Sequence, residues 1–291
     1  MLRIYTTMFW FSVTLTLAAV LALFVFGLNL GVDFLGGSVI EVGFSGNRPA
    51  LNDIRDILTG AGLADVVVNY TGDGGALIRT GELSENEHQN ILAVLKNGFS
   101  GLEEKRFDSI GPVIGNELKN KSITAILLVL SAVIIYIALV FRKLSKTLSP
   151  WVMGFAAILA LLHDVVVPLG VFAVLGNVYG VEISAVFVAA ALTILGYSVA
   201  DTVVVFDRIR ENIIRGLGGS LSEIAHKSVL QTLTRSLNTT FTTLLPLFAI
   251  YFFGGESIRY FALALIMGIF LGAYSSIFIA SPLLVWLSRK K

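Results

Sequence analysis

Residues 183–206 read ISAVFVAAALTILGYSVADTVVVF. Apart from one carboxylate, Asp201, no side chain in this run carries a charge. The run is longer than the ~20 apolar residues that cross the hydrocarbon core of a bilayer. Ala189, Ala190 and Gly196 are small, which suits close contact with another helix better than contact with lipid. The segment is expected to be a membrane-spanning helix, packed among others, with an acid inside it.

The neighbouring sequence repeats the pattern. Met8–Leu28, Ile123–Phe141, Pro150–Leu175, Ser236–Phe253 and Tyr260–Leu287 are the other runs long and apolar enough, giving six spans with Ile183–Phe206. The first run is uncharged from Ile4 to Val32, longer than the apolar part of a signal peptide, and is expected to be a retained helix. Of 291 residues, 55% are hydrophobic and 14% charged, against about 25% charged in a soluble domain. Mean hydropathy is +0.83.

Composition also excludes classes. A formal net charge of +1 offers no basic field for nucleic acid, so no nucleic-acid partner is expected. The absence of cysteine removes disulfides, thiol catalysis and cysteine-ligated metal. The three histidines stand at no metal-binding spacing. No G-x-x-x-x-G-K-[ST] run is present, so the chain carries no P-loop. Around Ser198 the sequence lacks G-x-S-x-G, because Ala200 stands where the second glycine is needed; Ser198 with His163 is therefore not read as a serine hydrolase. The chain is expected not to be an enzyme and to need no cofactor or metal.

Basic residues orient the spans. Arg3, then Arg142, Lys143 and Lys146, then Arg208, Arg210, Arg215 and Lys227, then Arg289, Lys290 and Lys291 all fall on one side of a six-span chain. The opposite short loops, residues 176–182 and 254–259, carry only Arg259. Positive residues mark the cytoplasm, so both termini are expected inside, with residues 207–234 as a cytoplasmic loop. Three parts follow: 1–32, the N-terminus and first helix; 33–121, a periplasmic or extracytoplasmic domain; and 122–291, a five-helix membrane domain.

The external part has its own pattern. Ser38–Phe44 alternates like a strand, Leu51–Leu58 has helical spacing, and Asp65–Tyr70 and Ala76–Thr80 flank the turn residues Thr71–Gly75. Ser84 with Glu87 forms a capping box for a helix to about Lys96, and Lys105–Ile110 closes the series as a strand. The order β-α-β-β-α-β is that of the ferredoxin-like fold. Val39, Val66, Val68, Leu77, Leu92 and Leu95 are the expected core.

An ionisable residue within a span is costly and points to function. Asp201 lies about six residues from the cytoplasmic end of its span, so roughly 9 Å inside. Tyr197 and Ser198 sit one turn before it on the same face. Burial favours its neutral form and a nearby cation its charged form, and a carboxyl balanced between them loads and releases a proton; the alternative is a static carboxyl held by hydroxyls. Arg235, at similar depth in the fifth span, is its natural partner, or else an anchor reaching for the headgroups. Asn238, Thr239, Thr242 and Thr243 continue a polar stripe along that span. His163 and Asp164 interrupt the third span, as part of a proton path or as polar glue between helices. Gly36-Gly37 reads as a turn, and Gly268 with Gly272 as a weak G-x-x-x-G packing signal.

Several of these stretches resemble one family. Val32-Asp33-Phe34-Leu35-Gly36-Gly37 is similar to the D-F-x-G-G sequence that follows the first helix in the SecD/SecF proteins, with Leu35 where threonine is usual. Gly111-Pro112-Val113-Ile114-Gly115 resembles the segment leading into the second helix, residues 196–212 the fourth helix and its cytoplasmic exit, and residues 231–240 the start of the fifth. The resemblance, to the SecF branch and over nearly the whole chain, implies membership of the resistance-nodulation-division superfamily. It further implies a heterodimer with SecD, association with the SecYEG channel, an unfolded preprotein substrate and contact with membrane lipids. The implied function is late preprotein translocation driven by a proton or sodium motive force, with Asp201 and Arg235 on the ion pathway and Tyr197, Ser198, Asn238, Thr239, His163 and Asp164 around them. Half of an exporter for lipids or hydrophobic molecules is the alternative. Reporter fusions at Lys291 and in the Gly72–Gly75 turn are expected to report opposite sides of the membrane; the same side from both overturns the six-span orientation.

Overall fold

The structure is a computed structural model and describes residues 3–63, 65–72, 74–142 and 148–288. Lys143, Lys146, Asp73, Arg289, Lys290 and Lys291, used above for orientation and for a turn, lie outside the described residues. In chain order the elements are α1 (Arg3–Phe26), a short α2 (Val32–Leu35), β1 (Gly37–Phe44), α3 (Leu51–Gly60), β2 (Val67–Thr71), β3 (Gly75–Thr80), α4 (Glu85–Gly98) and β4 (Leu102–Ile110). Then come α5 (Pro112–Val140), α6 (Pro150–Tyr179), α7 (Ala185–Ile214), α8 (Leu221–Phe253), α9 (Glu256–Ser275), a π-helical segment (Ser276–Ala280) and α10 (Ser281–Ser288). Six helical stretches among the described residues are long and apolar enough to cross a membrane, with α9 to α10 counting as one.

The chain forms two compact units. One comprises Asn29–Ile123 together with Glu182–Ala185; the remaining described residues form the other.

The first unit is the α+β domain. Its sheet runs β2-β3-β1-β4 with every neighbour antiparallel, which is ferredoxin-like topology. Ile54 and Leu58 of α3 and Ile91, Leu92 and Leu95 of α4 pack with Ile40, Val42, Val68, Ala76 and Ile78, so both helices cover one face. Val66, Val68, Leu92 and Leu95 are in this core as expected. Leu77 is only partly buried, and Val39 is buried but outside this cluster: strand side chains alternate, and with Ile78 and Ile40 turned inward their neighbours take the other face. The capping box at α4 is present, Ser84 receiving from the Glu87 backbone and Glu87 from that of Ser84. The Ser84 hydroxyl and backbone N–H hold the Glu87 carboxyl below the usual carboxylate range.

The glycine pair at the head of β1 is more than a turn. Gly36 and Gly37 have φ of +78° and +121°, which favour glycine. A Cβ on Gly36 would lie 2.7 Å from Pro112 Cα, and one on Gly37 2.6 Å from Thr80 O. The preceding turn is closed by backbone bonds, Leu35 N to Gly31 O at 3.2 Å and Gly36 N to Val32 O at 2.9 Å. Leucine at 35 therefore takes nothing from that turn.

In the helical unit α6, α7 and the last span are about half buried (50%, 50% and 56%), whereas α1, α5 and α8 are mostly open (11%, 6% and 17%). Small residues set the spacing. A Cβ on Gly170 would lie 2.5 Å from Ala19, and one on Gly268 2.3 Å from Ile194, so the G-x-x-x-G pair seats α9 on α7. Ser12 donates to Tyr274 Oη at 3.1 Å, and Tyr274 to Met8 O at 2.9 Å, pinning α1 to α9. Residues 207–234, expected as a loop, are mostly helical: α7 continues to Ile214 and α8 starts at Leu221, behind a second capping box of Ser220 with Glu223.

Two outcomes check the domain. Ile78→Ala is expected to destabilise it by about 2–5 kcal/mol, and Leu77→Ala by less, in amide exchange of β1 and β3 in the full chain; the reverse order would place the wrong face inward. The Glu87 contribution to the α4 cap is complete above the ordinary carboxylate value and fades as pH falls through its depressed value. Exchange in the first turn of α4 is therefore expected to quicken on acidification, and Ser84→Ala to weaken that pH dependence, because the backbone N–H at 84 still donates to Glu87.

Candidate functional site

Two buried carboxylates meet α7 about a turn apart, Asp164 of α6 through Ser198, and Asp201 as a residue of α7 itself. Asp164, on α6, has no exposed surface. Its Oδ2 accepts from Ser198 Oγ of α7 at 2.6 Å and from Ser275 Oγ of α9 at 2.6 Å. Both are short hydroxyl-to-carboxyl hydrogen bonds. Its Oδ1 lies 3.1 Å from Nδ1 of the adjacent His163. The other ring nitrogen of His163, Nε2, is buried without a hydrogen-bond partner among the described residues. Three helices thus converge on one carboxylate. Gly272 permits this, because a Cβ there would lie 3.0 Å from that of Ser198.

Asp201 is three residues on from Ser198 and is also buried. Its Oδ1 accepts from Ser236 Oγ of α8 at 3.2 Å, while Oδ2 has no hydrogen-bond partner among the described residues. Asp201 and Asp164 are close enough to interact electrostatically. Asp201 is therefore only half satisfied, whereas Asp164 is saturated. A carboxylate with a free buried oxygen is the one positioned to gain a proton or a cation.

The α7–α8 seam continues on both sides of Asp201. Toward the end of α7, Asn212 donates to Ser228 Oγ at 2.8 Å and to Gln231 Oε1 at 2.9 Å, and Arg208 donates to the same Gln231 oxygen at 2.7 Å. In the other direction Tyr197 is hydrogen-bonded to Thr243 and reaches Thr239 O at 3.4 Å. Ser228, Thr232, Ser236 and Thr240 are all buried, and they recur every fourth residue along the inner face of α8. Thr240 Oγ1 and Thr202 Oγ1 are buried without a hydrogen-bond partner among the described residues.

Of the residues singled out from sequence, His163, Asp164, Tyr197, Ser198 and Asp201 lie in these networks. Arg235, Asn238 and Thr239 do not line the seam with their side chains; all three are exposed. Arg235 makes no ion pair within 4 Å among the described residues, but it is near enough to act on Asp201 electrostatically, while the hydroxyl of Ser236 is the direct hydrogen-bond partner. Successive residues of an α-helix point about 100° apart, so with Ser236 turned to α7, Arg235 belongs to the next face. Sequence reasoning missed Ser228, Ser236, Thr240 and Ser275. For the first three the signal was present, as hydroxyls at helical spacing 228, 232, 236 and 240. Ser275 sits in an apolar run with no such period. No cluster of three or more metal-ligating side chains occurs among the described residues.

Comparison with known proteins places this arrangement. The family model described as protein export membrane protein SecD/SecF, C-terminal, matches residues 90–290, and the SecD/SecF GG motif matches residues 21–47. A protein translocase subunit SecF from Thermobaculum terrenum is 45% identical, over 94% of this chain and 89% of the relative. The SecF of Vibrio alginolyticus is 37% identical over 97% of this chain and 88% of its own. The crystal structure of SecDF, a translocon-associated membrane protein from Thermus thermophilus, superposes with a TM-score of 0.86 at 32% identity. That match covers 99% of this chain but 39% of the longer SecDF chain. A SecDF structure in a super-membrane-facing form matches with a TM-score of 0.68. The chain is thus a multi-pass membrane protein that belongs to the SecD/SecF family of bacterial protein-export membrane proteins.

Proposed function

We propose that this chain is an accessory subunit of the Sec translocase that works with SecD. In this reading it draws on a proton or sodium motive force to promote late translocation of preproteins through the SecYEG channel, without catalysing a covalent reaction. The half-satisfied Asp201 carboxylate, buried between α7 and α8 in a chain of this family, carries the reading. Nothing in the relatives' names points to export of lipids or hydrophobic molecules.

Asp201 takes up and releases the ion. Ser236 and Thr240 line its α8 side, and Tyr197 and Ser198 its α7 side. His163 and Asp164 hold α6, α7 and α9 together and set the field that Asp201 feels. The exposed stripe of Arg235, Asn238, Thr239 and Thr242 on α8 supports a partner there. A charged side chain at the centre of a lipid-facing helix costs about 2.5–3.5 kcal/mol, and SecD helices against this stripe remove that cost. Both termini face the cytoplasm in this reading, and the α+β domain the opposite side.

One elementary charge crossing 100 mV yields about 2.3 kcal/mol, enough to bias a two-state change some fiftyfold. Asparagine at 201 keeps the volume and cannot ionise. In inverted vesicles holding the assembled complex, Asp201→Asn is expected to abolish the gradient-stimulated part of export and to leave the ATP-driven part. Normal stimulation in the correctly assembled variant would make Asp201 structural. Asp164→Asn is expected to retain more stimulation than Asp201→Asn. Asp164→Ala is expected to lower thermal stability in detergent, because it leaves the Ser198 hydroxyl without its acceptor, at about 1–3 kcal/mol, and Ser275 with only Gly272 O.

A further inference from the structure

Residues Glu182–Ala185 lie between two spans in sequence, yet they pack within the α+β unit. A backbone bridge, an ion pair and a helix cap hold them there. Leu30 and Ile183 form a parallel bridge. Gly31 N donates to Ile183 O at 2.9 Å, and Ile183 N to Asn29 O at 2.8 Å. Glu182 pairs with Arg79 of β3. The backbone N–H of Ala185, the first residue of α7, donates to Asp33 Oδ2 at 2.7 Å. Gly31 leaves room for this, since a Cβ there would stand 3.1 Å from Glu182 Oε2 and 3.3 Å from Ile183 O.

The first N–H groups of any helix lack intrahelical partners and carry partial positive charge, and a carboxylate satisfies both. Such a cap is normally the residue just before the helix. Here it comes from 152 positions earlier in the chain. The same short turn also meets the start of α5. Gly36 abuts Pro112, and a Cβ on Gly115 would lie 3.2 Å from the Phe34 carbonyl.

We propose that Asp33 is a positioning residue whose carboxylate caps α7, and that with the Arg79–Glu182 pair it clamps the α+β domain to the helix that carries Asp201. α7 is continuous from Ala185 to Ile214, and Asp201 lies about 24 Å along it at 1.5 Å per residue. A displacement of α7 that accompanies ion binding is then delivered to the domain through the cap and the ion pair, rather than absorbed by a loop. The coupling part rests on the ion-binding role of Asp201 proposed above; the cap does not.

The test uses the reconstituted full complex. Asp33→Ala removes the acceptor and Asp33→Asn keeps one, because asparagine also caps helices well. Amide exchange at Ala185 is expected to rise roughly fivefold in Asp33→Ala and little in Asp33→Asn. Gradient-stimulated export is expected to be lost in Asp33→Ala and retained in Asp33→Asn, with ATP-driven export present in both. Arg79→Glu and Glu182→Arg are each expected to impair stimulation, and the double variant to restore it. Unchanged exchange at Ala185 in Asp33→Ala overturns the cap. Faster exchange with normal stimulation overturns the clamp, as does an equal loss in Asp33→Asn or a double variant no better than the singles. Asp201→Asn measured alongside separates the two readings: stimulation that survives there but not in Asp33→Ala refutes the role of Asp201 and leaves the clamp.

Discussion

The Asp164 carboxylate, without exposed surface, draws hydroxyls from two other helices onto one oxygen. Removing such a group from water is tolerable only if hydrogen bonds replace its hydration. That condition fixes much else. α7 must present Ser198 and α9 must present Ser275 at the same depth as Asp164. The backbones must then approach closely, which is why Gly268 and Gly272 stand where a side chain would collide with Ile194 and Ser198. The packing of the three most buried spans follows from one acid and the residues it requires. In a bilayer, where helices gain nothing from excluding water, polar and small-residue contacts of this kind carry the association.

Against that fixed point Asp201 is an exception. It shares a helix face with Ser198 but has one hydroxyl partner where Asp164 has two. The contrast gives two acids on two packed helices different tasks, one saturated and one open. The seam with α8 suits this asymmetry. Its hydroxyls both donate and accept, so they can face a carboxylate in either charge state without being left unpaired.

Much of this was legible in the sequence, for identifiable reasons. Hydropathy finds spans because a bilayer admits only long apolar helices. The ferredoxin-like order was readable because Ser84 and Glu87 sit at a capping spacing and the strands alternate. The strand register was not: in Ala76-Leu77-Ile78 three apolar residues follow one another, and alternation alone does not say which face is inward. Helix rotation at 235–239 was not legible either. Arginine and asparagine draw attention by charge, but the small hydroxyl of Ser236 faces the acid. Residues 207–214 and 221–234 are polar at intervals and look like loop to a hydropathy scan. They are helix because each hydrophobic position, such as Ile209 and Val229, returns to the core once per turn. The role of Asp33 lay beyond sequence reasoning, since its partner is a backbone N–H far along the chain.

The π-helical segment Ser276–Ala280 interrupts the last span between α9 and α10. A π turn holds one residue more than an α turn, so this stretch is what an α-helix becomes when a single residue is inserted and the helix absorbs it. Its bond signature is the backbone N–H of Ser281 donating to Ser276 O, five residues back. Relative to a plain α-helix, the extra residue rotates everything beyond it by about 100°. Leu284 and Val285 of α10 are fully buried, while Ser275 before the segment serves Asp164. One added residue thus lets the two ends of a single span aim at their own targets. A relative lacking it would have to choose between the serine and the apolar seat, or compensate with other residues at both.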